Sequence, residues 1–354
     1  MADIHNLRKE NDTLTAEIEK LKLENRETTS HIWKLQPTQR GGDNTSDLSK
    51  AYSRIHAGAY DFIGNYCDDE KEFDLSLEWA RKNQNRESVQ DFSKQLYQWR
   101  DIYDSAATPD IELEILVAFI LRYLHENIFD TVLGGAAEKD AEAIRRIASS
   151  LTKEEKLKTN EFVLRIWLYT AYHGLKIRPD IQKRRNKVVQ ALSAHLAHLL
   201  GFIGRDTKRE DFIESIRKRL VEPAMSLHER FLDGKNEYHF DTNPYLRNRN
   251  TFSADLTHLA HMDLMDWGAN GRKITVKDLN KVPTNEVRKN LYTLFTVRPG
   301  LMARRVGFDL TSPEPYHILD EQVVVIWNRK EYRKRLEEDE DGWISKIINI
   351  ANSP

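Results

Sequence analysis

The sequence predicts a mainly α-helical protein, in which an N-terminal parallel coiled coil precedes a large multi-helix domain. Three observations predict it. A strict heptad repeat occupies the first 35 residues. Apolar residues then recur at helical spacing from Leu48 to Leu232. β-Branched runs bounded by turn residues appear only after Gly234, where one small β-hairpin is expected.

With Ile4 as position a, the a series reads Ile4, Asn11, Ile18, Asn25, Ile32 and the d series Leu7, Leu14, Leu21, Thr28, Leu35. β-Branched residues at a with Leu at d favour two parallel strands, and an Asn at a penalises other registers because its amide is satisfied only opposite a second Asn. These ten residues are the expected dimer interface. The flanking charges agree. Asp3 of one chain would meet Arg8 of its mate, Glu17 would meet Lys22, and the remaining g/e pairs, Glu10 with Thr15 and Glu24 with Thr29, are not like-charged. A helix folded back on its own domain would need a broader apolar face than this stripe. A coiled coil with a different protein remains the alternative. Only three residues precede Ile4 in this sequence, so no basic DNA-reading arm of a basic-zipper factor is expected.

Pro37, Gly41 and Gly42 then mark a linker, with Ser46 or Asp47 placed to cap the next helix. Leu48, Tyr52, Ile55, Ala59, Phe62 and Tyr66 form one helical face. Pro109, Asp110 and Glu112 suit a helix start, and Ile111–Phe129 is apolar on nearly every side, the mark of a helix surrounded by others. Phe162–Tyr172 reads likewise, and these two are the expected central pair. Between them, Gly134-Gly135 precedes an Ala-rich helix from Ala136 to Ser149, and Thr152 with Glu155 makes a capping box. Helices are expected at 180–200 and 206–232. Beyond Gly234, Ile274–Val276 suggests a short strand and Gln322–Trp327 a buried one, pairing with Leu301–Phe308. A final helix carries Trp343, Ile344, Ile347 and Ile348. The expected division is a coiled coil over 1–36, a linker over 37–47, a helical domain over 48–234, and a C-terminal lobe over 235–354 packed on it.

Composition excludes several classes. The 40% hydrophobic and 31% charged content is that of a globular protein, and the net charge of −2 argues against a strongly basic nucleic-acid binder. A single cysteine, Cys67, excludes an intramolecular disulfide framework and a Cys-rich zinc module, which suits a reducing compartment. The expected location is intracellular, cytoplasmic rather than nuclear. The start MADIHNLRKEN lacks the apolar stretch of a secretory signal, and the longest apolar run, Ile115–Leu121, is far short of a membrane span.

The 12 histidines raise the question of metal. His195 and His198 are three apart, as are His258 and His261, with Asp263 and Asp266 beyond. Such pairs can share a helix face, but no His-Glu-x-x-His signature occurs and His195–Leu200 sits in an Ala/Leu helix, so no metal or other cofactor is expected. There is no nucleophile elbow and no phosphate-cradling glycine loop. Cys67, among aromatics, reads as a buried inert thiol. Lys183, Arg184, Arg185 and Lys187 read as a solvated helix face, with nuclear import as the alternative. In the charged tail, Glu331 with Arg335 and Arg333 with Glu337 are i, i+4 neighbours that stabilise their own helix.

The zipper, the linker, the segment AFILRYLHENIFD (Ala118–Asp130) and the segment LFTVRPGL (Leu294–Leu301) together resemble a group of mostly helical filamentous-fungal proteins of unknown function. The resemblance implies an all-α fold and an intracellular protein. It transfers no activity and no functional residue.

The expected function is therefore that of a self-associating, non-enzymatic scaffold that binds a second protein, without membrane or direct nucleic-acid contact. Two other readings stand beside it. One is an enzyme with a site at His258, His261 and Asp263. The other is a nuclear regulatory factor imported through Lys183–Lys187.

Overall fold

The computed structural model describes residues 2–35, 44–67, 70–82, 85–153, 161–234, 236–241, 259, 261–269, 272–306, 314–327, 334, 336–337 and 341–353. Helix α1 (Ala2–Leu35) is continuous over 34 residues. Asn44 caps α2 (Thr45–Gly64), its side chain accepting from the Ser46 backbone N–H at 3.3 Å. The cap thus falls before Ser46 and Asp47, because Asn44 takes the extended backbone a cap needs and leaves Asp47 in the first turn, where its charge favours the helix dipole.

The core is built around α6 (Glu112–Leu124), in which every residue from Ile115 to Leu124 is buried. Phe119 packs against Phe92 of α4 (Arg86–Gln98), ring centroids 4.7 Å apart, and against Trp99 at 5.2 Å. The one cation of this run, Arg122, is paired with Asp101 of α5 (Arg100–Ser105), with Nη1 donating at 2.7 Å. Pro109 precedes the helix rather than starting it. Ile111 is the cap residue, Asp110 takes φ 63°, and Glu112 and Glu114 occupy the first turn. At its C-terminus α6 widens into a π turn, His125–Phe129. Leu133 and Gly134 then reverse the chain with positive φ. Its φ of 62° favours glycine at Gly134, and a Cβ there would also displace the end of the Met225 side chain, whose Sδ would lie 2.5 Å away.

Helices α7 (Glu138–Lys153), α8 (Glu161–Lys176), α9 (Pro179–Leu199), α10 (Arg209–Ile216) and α11 (Glu222–Leu232) follow. Two expectations fail here. Helix α8 is not central. Val163 is 48% exposed, and among the described side chains the helix buries only Tyr169, Tyr172 and Leu175, the latter two in a small satellite cluster with Leu133, Ala141 and Ile181. Its apolar run includes residues that face solvent, a distinction an unbroken run cannot make. The partner of α6 is instead α2, whose Leu48, Tyr52, Ile55, Ala59 and Phe62 are all buried. Thr152 does not open a new helix. It lies in the last turn of α7 and its hydroxyl donates back to the Ser149 carbonyl at 3.0 Å. Glu155 lies outside the described residues.

Beyond Gly234 the chain forms two sheets rather than one small hairpin, a correction to the all-α expectation, although the protein is mainly helical. Strands β1 (Glu237–Asp241), β5 (Gly300–Arg304) and β6 (Tyr316–Leu319) make one, in the order β1-β5-β6. Strands β2 (Met262–Asp266), β3 (Arg272–Ile274), β4 (Leu291–Arg298) and β7 (Glu321–Trp327) make the other, in the order β3-β2-β7-β4. The expected partner of β7 was wrong. β7 pairs antiparallel with β4 and parallel with β2, whereas β5 pairs with β1 and β6. The cause is local. β4 runs into β5 through Pro299, and β6 into β7 through Asp320, so one long hairpin bends at its middle and serves both sheets. Pro299 has no N–H for a ladder and reads as a loop in sequence. Strand β3 ends at Ile274, and Thr275 caps α12 (Val276–Leu279), accepting from the Asp278 N–H, so the expected strand Ile274–Val276 is displaced toward the N-terminus. The short α13 (Thr284–Asn290) leads into β4.

The main core crosses position 234. Phe295, Val297, Val324 and Ile326 of the strands and Trp343, Ile344 and Ile347 of α14 (Trp343–Asn352) belong to the same cluster as α2 and α6. No helix among the described residues is long and apolar enough to cross a membrane.

Candidate functional site

Side chains alternate across a strand, so the ladder decides which residues share a face. Tyr292 pairs with Ile326 and Phe295 with Val324, and all four face the helical core. Beyond a bulge, two residues along β7 and three along β4, Arg298 pairs with Gln322, and Gln322 pairs on its other side with Asp263. Asp263, Gln322 and Arg298 therefore form a polar row across three strands, on the face turned toward the helices and at the bend between the sheets. Above it α2 presents Tyr52, His56 and Tyr60, spaced by four and hence on one helix face. The His56 and Tyr60 rings lie edge to face, 5.0 Å apart.

The groups of this crease are unequally satisfied. Arg298 is 8% exposed and its Nη2 donates to the Asp320 carbonyl at 3.0 Å, stapling one bend to the other. Beneath it Thr296 Oγ1 donates to Glu321 Oε1 at 2.6 Å. Asp263 is ion-paired with Lys273 across to β3, and Gln322 Nε2 contacts Met265 Sδ at 2.7 Å. Beside Asp263 Oδ1, which has only its ion pair with Lys273, four polar atoms, His56 Nε2, Tyr60 Oη, Arg298 Nε and Gln322 Oε1, are buried with no hydrogen-bond partner among the described residues. Each such atom costs on the order of 1–3 kcal/mol until something satisfies it.

Electrostatics keeps the helix side of the crease neutral. Burial, reinforced by the Arg298 charge, lowers the His56 imidazole to about 4. Burial raises the Tyr52 and Tyr60 hydroxyls far above the ordinary tyrosine value, against the pull of Arg298. At neutral pH the crease therefore holds an uncharged imidazole, two neutral hydroxyls and a guanidinium that donates to the Asp320 carbonyl and lies in the field of the Asp263 and Asp320 carboxylates.

The residues singled out from sequence fall elsewhere. On α1, Leu14, Ile18 and Leu21 are 52%, 52% and 57% exposed, and Asn11 and Thr28 are exposed too. The side chains of Ile4, Leu7, Asn25, Ile32 and Leu35 lie outside the described residues. His195 and His198 do not act as a pair. His195 Nδ1 bonds Tyr123 Oη at 2.9 Å, and His198 Nε2 bonds Asp91 at 3.3 Å. His258 lies outside the described residues. His261 stacks on His317, ring centroids 4.5 Å apart, and Asp263 belongs to the crease. Asp266 is a structural acceptor for the Gly268 and Trp327 N–H groups. Because β2 is a strand and not a helix, Asp263 and Asp266, three apart, point to opposite faces. Cys67 is buried and its thiol is pushed up to about 11 by burial. Of the basic run, Arg184 pairs with Asp180 and Arg185 with Glu229. The charged tail from Arg329 lies almost wholly outside the described residues.

Sequence reasoning missed His56, Tyr60, Arg298 and Gln322. The four-residue spacing of Tyr52, His56 and Tyr60 was a signal, masked by the apolar stripe that shares Tyr52. Arg298 had only the mark of a cation closing a buried strand before Pro299. Comparisons with protein-family models, with curated proteins and with solved structures find no match to this chain.

Proposed function

We propose that the protein is a non-enzymatic scaffold that dimerises through α1 and presents its helical body to a protein partner in the cytoplasm. One observation carries this reading. The a and d residues Leu14, Ile18 and Leu21 are more than half exposed on a 34-residue helix that keeps them away from the core. Fully burying a Leu or Ile side chain contributes about 1.5–3 kcal/mol, so this stripe gains from a second surface. The matching surface is a second copy, since Asp3 opposite Arg8 and Glu17 opposite Lys22 complement each other only in a parallel pair. Two linked copies of a binding surface raise avidity through effective concentration, without new contacts. The nuclear reading is weakened by the ion pairs that engage Arg184 and Arg185.

The test is the mass of the full chain by light scattering, with and without Leu14→Pro and Leu21→Pro. Proline inside a helix costs about 3 kcal/mol or more and breaks the seam. The expected result is a dimer that becomes a monomer. A dimer that persists in the variant removes α1 as the pairing element.

A further inference from the structure

The outer face of the three-stranded sheet plays no part in the dimer proposed above. Tyr238 and Phe240 of β1 pack toward the core, so His239 and Asp241 point the other way. The register continues that face. His239 pairs with Met302 of β5, and Met302 pairs on its other side with His317 of β6. Far apart in the chain, these three residues become neighbours only through strand pairing. We propose that His239, Met302 and His317 form a binding site for one copper(I) ion, with the Met302 thioether between the two imidazoles.

The row is built to converge. Adjacent strands lie about 4.8 Å apart, so each imidazole needs to lean by one strand spacing to meet over the central sulfur. None of the three side chains makes a hydrogen bond among the described residues, and His317 Nδ1 is buried without a partner. Other imidazoles of the chain are anchored, His125 by Asp130, His195 by Tyr123 and His198 by Asp91. His261 stacks flat on His317, with 5° between the ring planes, which fixes the plane of one ligand without occupying its nitrogens. His239 is exposed and Met302 and His317 are half-buried, so the row opens to solvent.

The donor set selects the metal. No three His, Cys, Asp or Glu side chains among the described residues are gathered to hold an ion, so the tetrahedral set of a structural zinc is absent there. Two imidazoles and a thioether are a different set. They are uncharged, and the thioether is a soft ligand that favours copper(I) over harder dications. The field suits a cation. The Asp241 and Asp320 carboxylates both act on His317, while Arg304, a cation of the same face, is committed to Glu237 and Glu161.

The test titrates the full chain, without oxygen, against copper(I) held by bicinchoninate, whose colour fades as the protein takes the ion. One equivalent is expected to transfer to the parent chain. Met302→Leu conserves volume, so the melting temperature without copper should change little. Its affinity should fall by at least the roughly ten- to hundredfold that loss of a supporting contact costs at metal sites. His239→Gln, at an exposed position, should weaken copper likewise. Cys67→Ala, which removes the one thiol of the chain, should keep the site. Zinc(II) in place of copper(I) should bind far more weakly. No transfer to the parent, parent-like binding in Met302→Leu, or loss of binding in a folded Cys67→Ala overturns the site. Zinc bound as tightly as copper overturns the choice of metal.

Discussion

Replacing Phe119 by Ala probes the centre of the fold. The side chain is fully buried, with Phe92 at 4.7 Å and Trp99 at 5.2 Å between ring centroids. Its truncation forfeits the transfer energy of the ring and leaves a cavity that these large rings cannot collapse into without leaving their rotamers. Phe→Ala at such a site costs about 3–5 kcal/mol. A chain of this size has a guanidinium slope on the order of 5 kcal/mol per molar, so the unfolding midpoint should fall by about 0.6–1 M with the slope unchanged. Val163→Ala, on the outer face of α8, is the control and should change stability by no more than about 0.5 kcal/mol. A Phe119→Ala midpoint within about 0.2 M of the parent would refute α6 as the centre. An equal loss at Val163 would refute the peripheral placement of α8.

Two further outcomes follow from burial. His228 and His56 are both held near 4 by burial, below the ordinary value of about 6.5, so the folded state resists protonation while the unfolded state accepts it. Stability from each is complete above pH 6.5 and is lost as pH falls toward 4, by up to about 3 kcal/mol for His228, and denaturant midpoints between pH 7 and pH 4.5 should show the decline. A flat profile in that window would show that both imidazoles protonate freely in the fold. Gly342 lies against backbone, where a Cβ would come 2.7 Å from the Thr108 carbonyl oxygen, so Gly342→Ala should cost about 1–3 kcal/mol, read as a fall in the unfolding midpoint. Unaltered stability would mean that α14 docks without that close approach.

How much of this was legible depends on whether a residue's partner is near in sequence. Helix α2 was readable because its apolar residues repeat at helical spacing, and α6 because its faces are apolar all round, a pattern only a surrounded helix sustains. The heptad of α1 was legible as one long helix, whereas any pairing would be a property of two chains. The sheets were not. Pro299 interrupts β4 and β5 where the chain only bends, and β2 joins β7 in parallel across a long separation that no local pattern announces. The crease was least visible, because Asp263, Gln322 and Arg298 become neighbours only through register, and His56 joins them only when α2 docks. The histidine pairs had the opposite fault. Their spacing was conspicuous, yet His195 and His198 each bond a different residue.

The docking of α14 carries a consequence for how the chain reaches its native state. Trp343 Nε1 donates to the Phe73 carbonyl at 2.8 Å, its ring meets Phe202, and the Ser353 carbonyl accepts from Arg86, 267 positions away. During synthesis α3 (Glu70–Arg81) and α4 emerge long before the segment that covers them. Phe73, Phe202 and their neighbours must wait with apolar surface uncovered until α14 is released. Folding intermediates that lack α14 are therefore the form in which this chain is most exposed to chaperone capture and to aggregation.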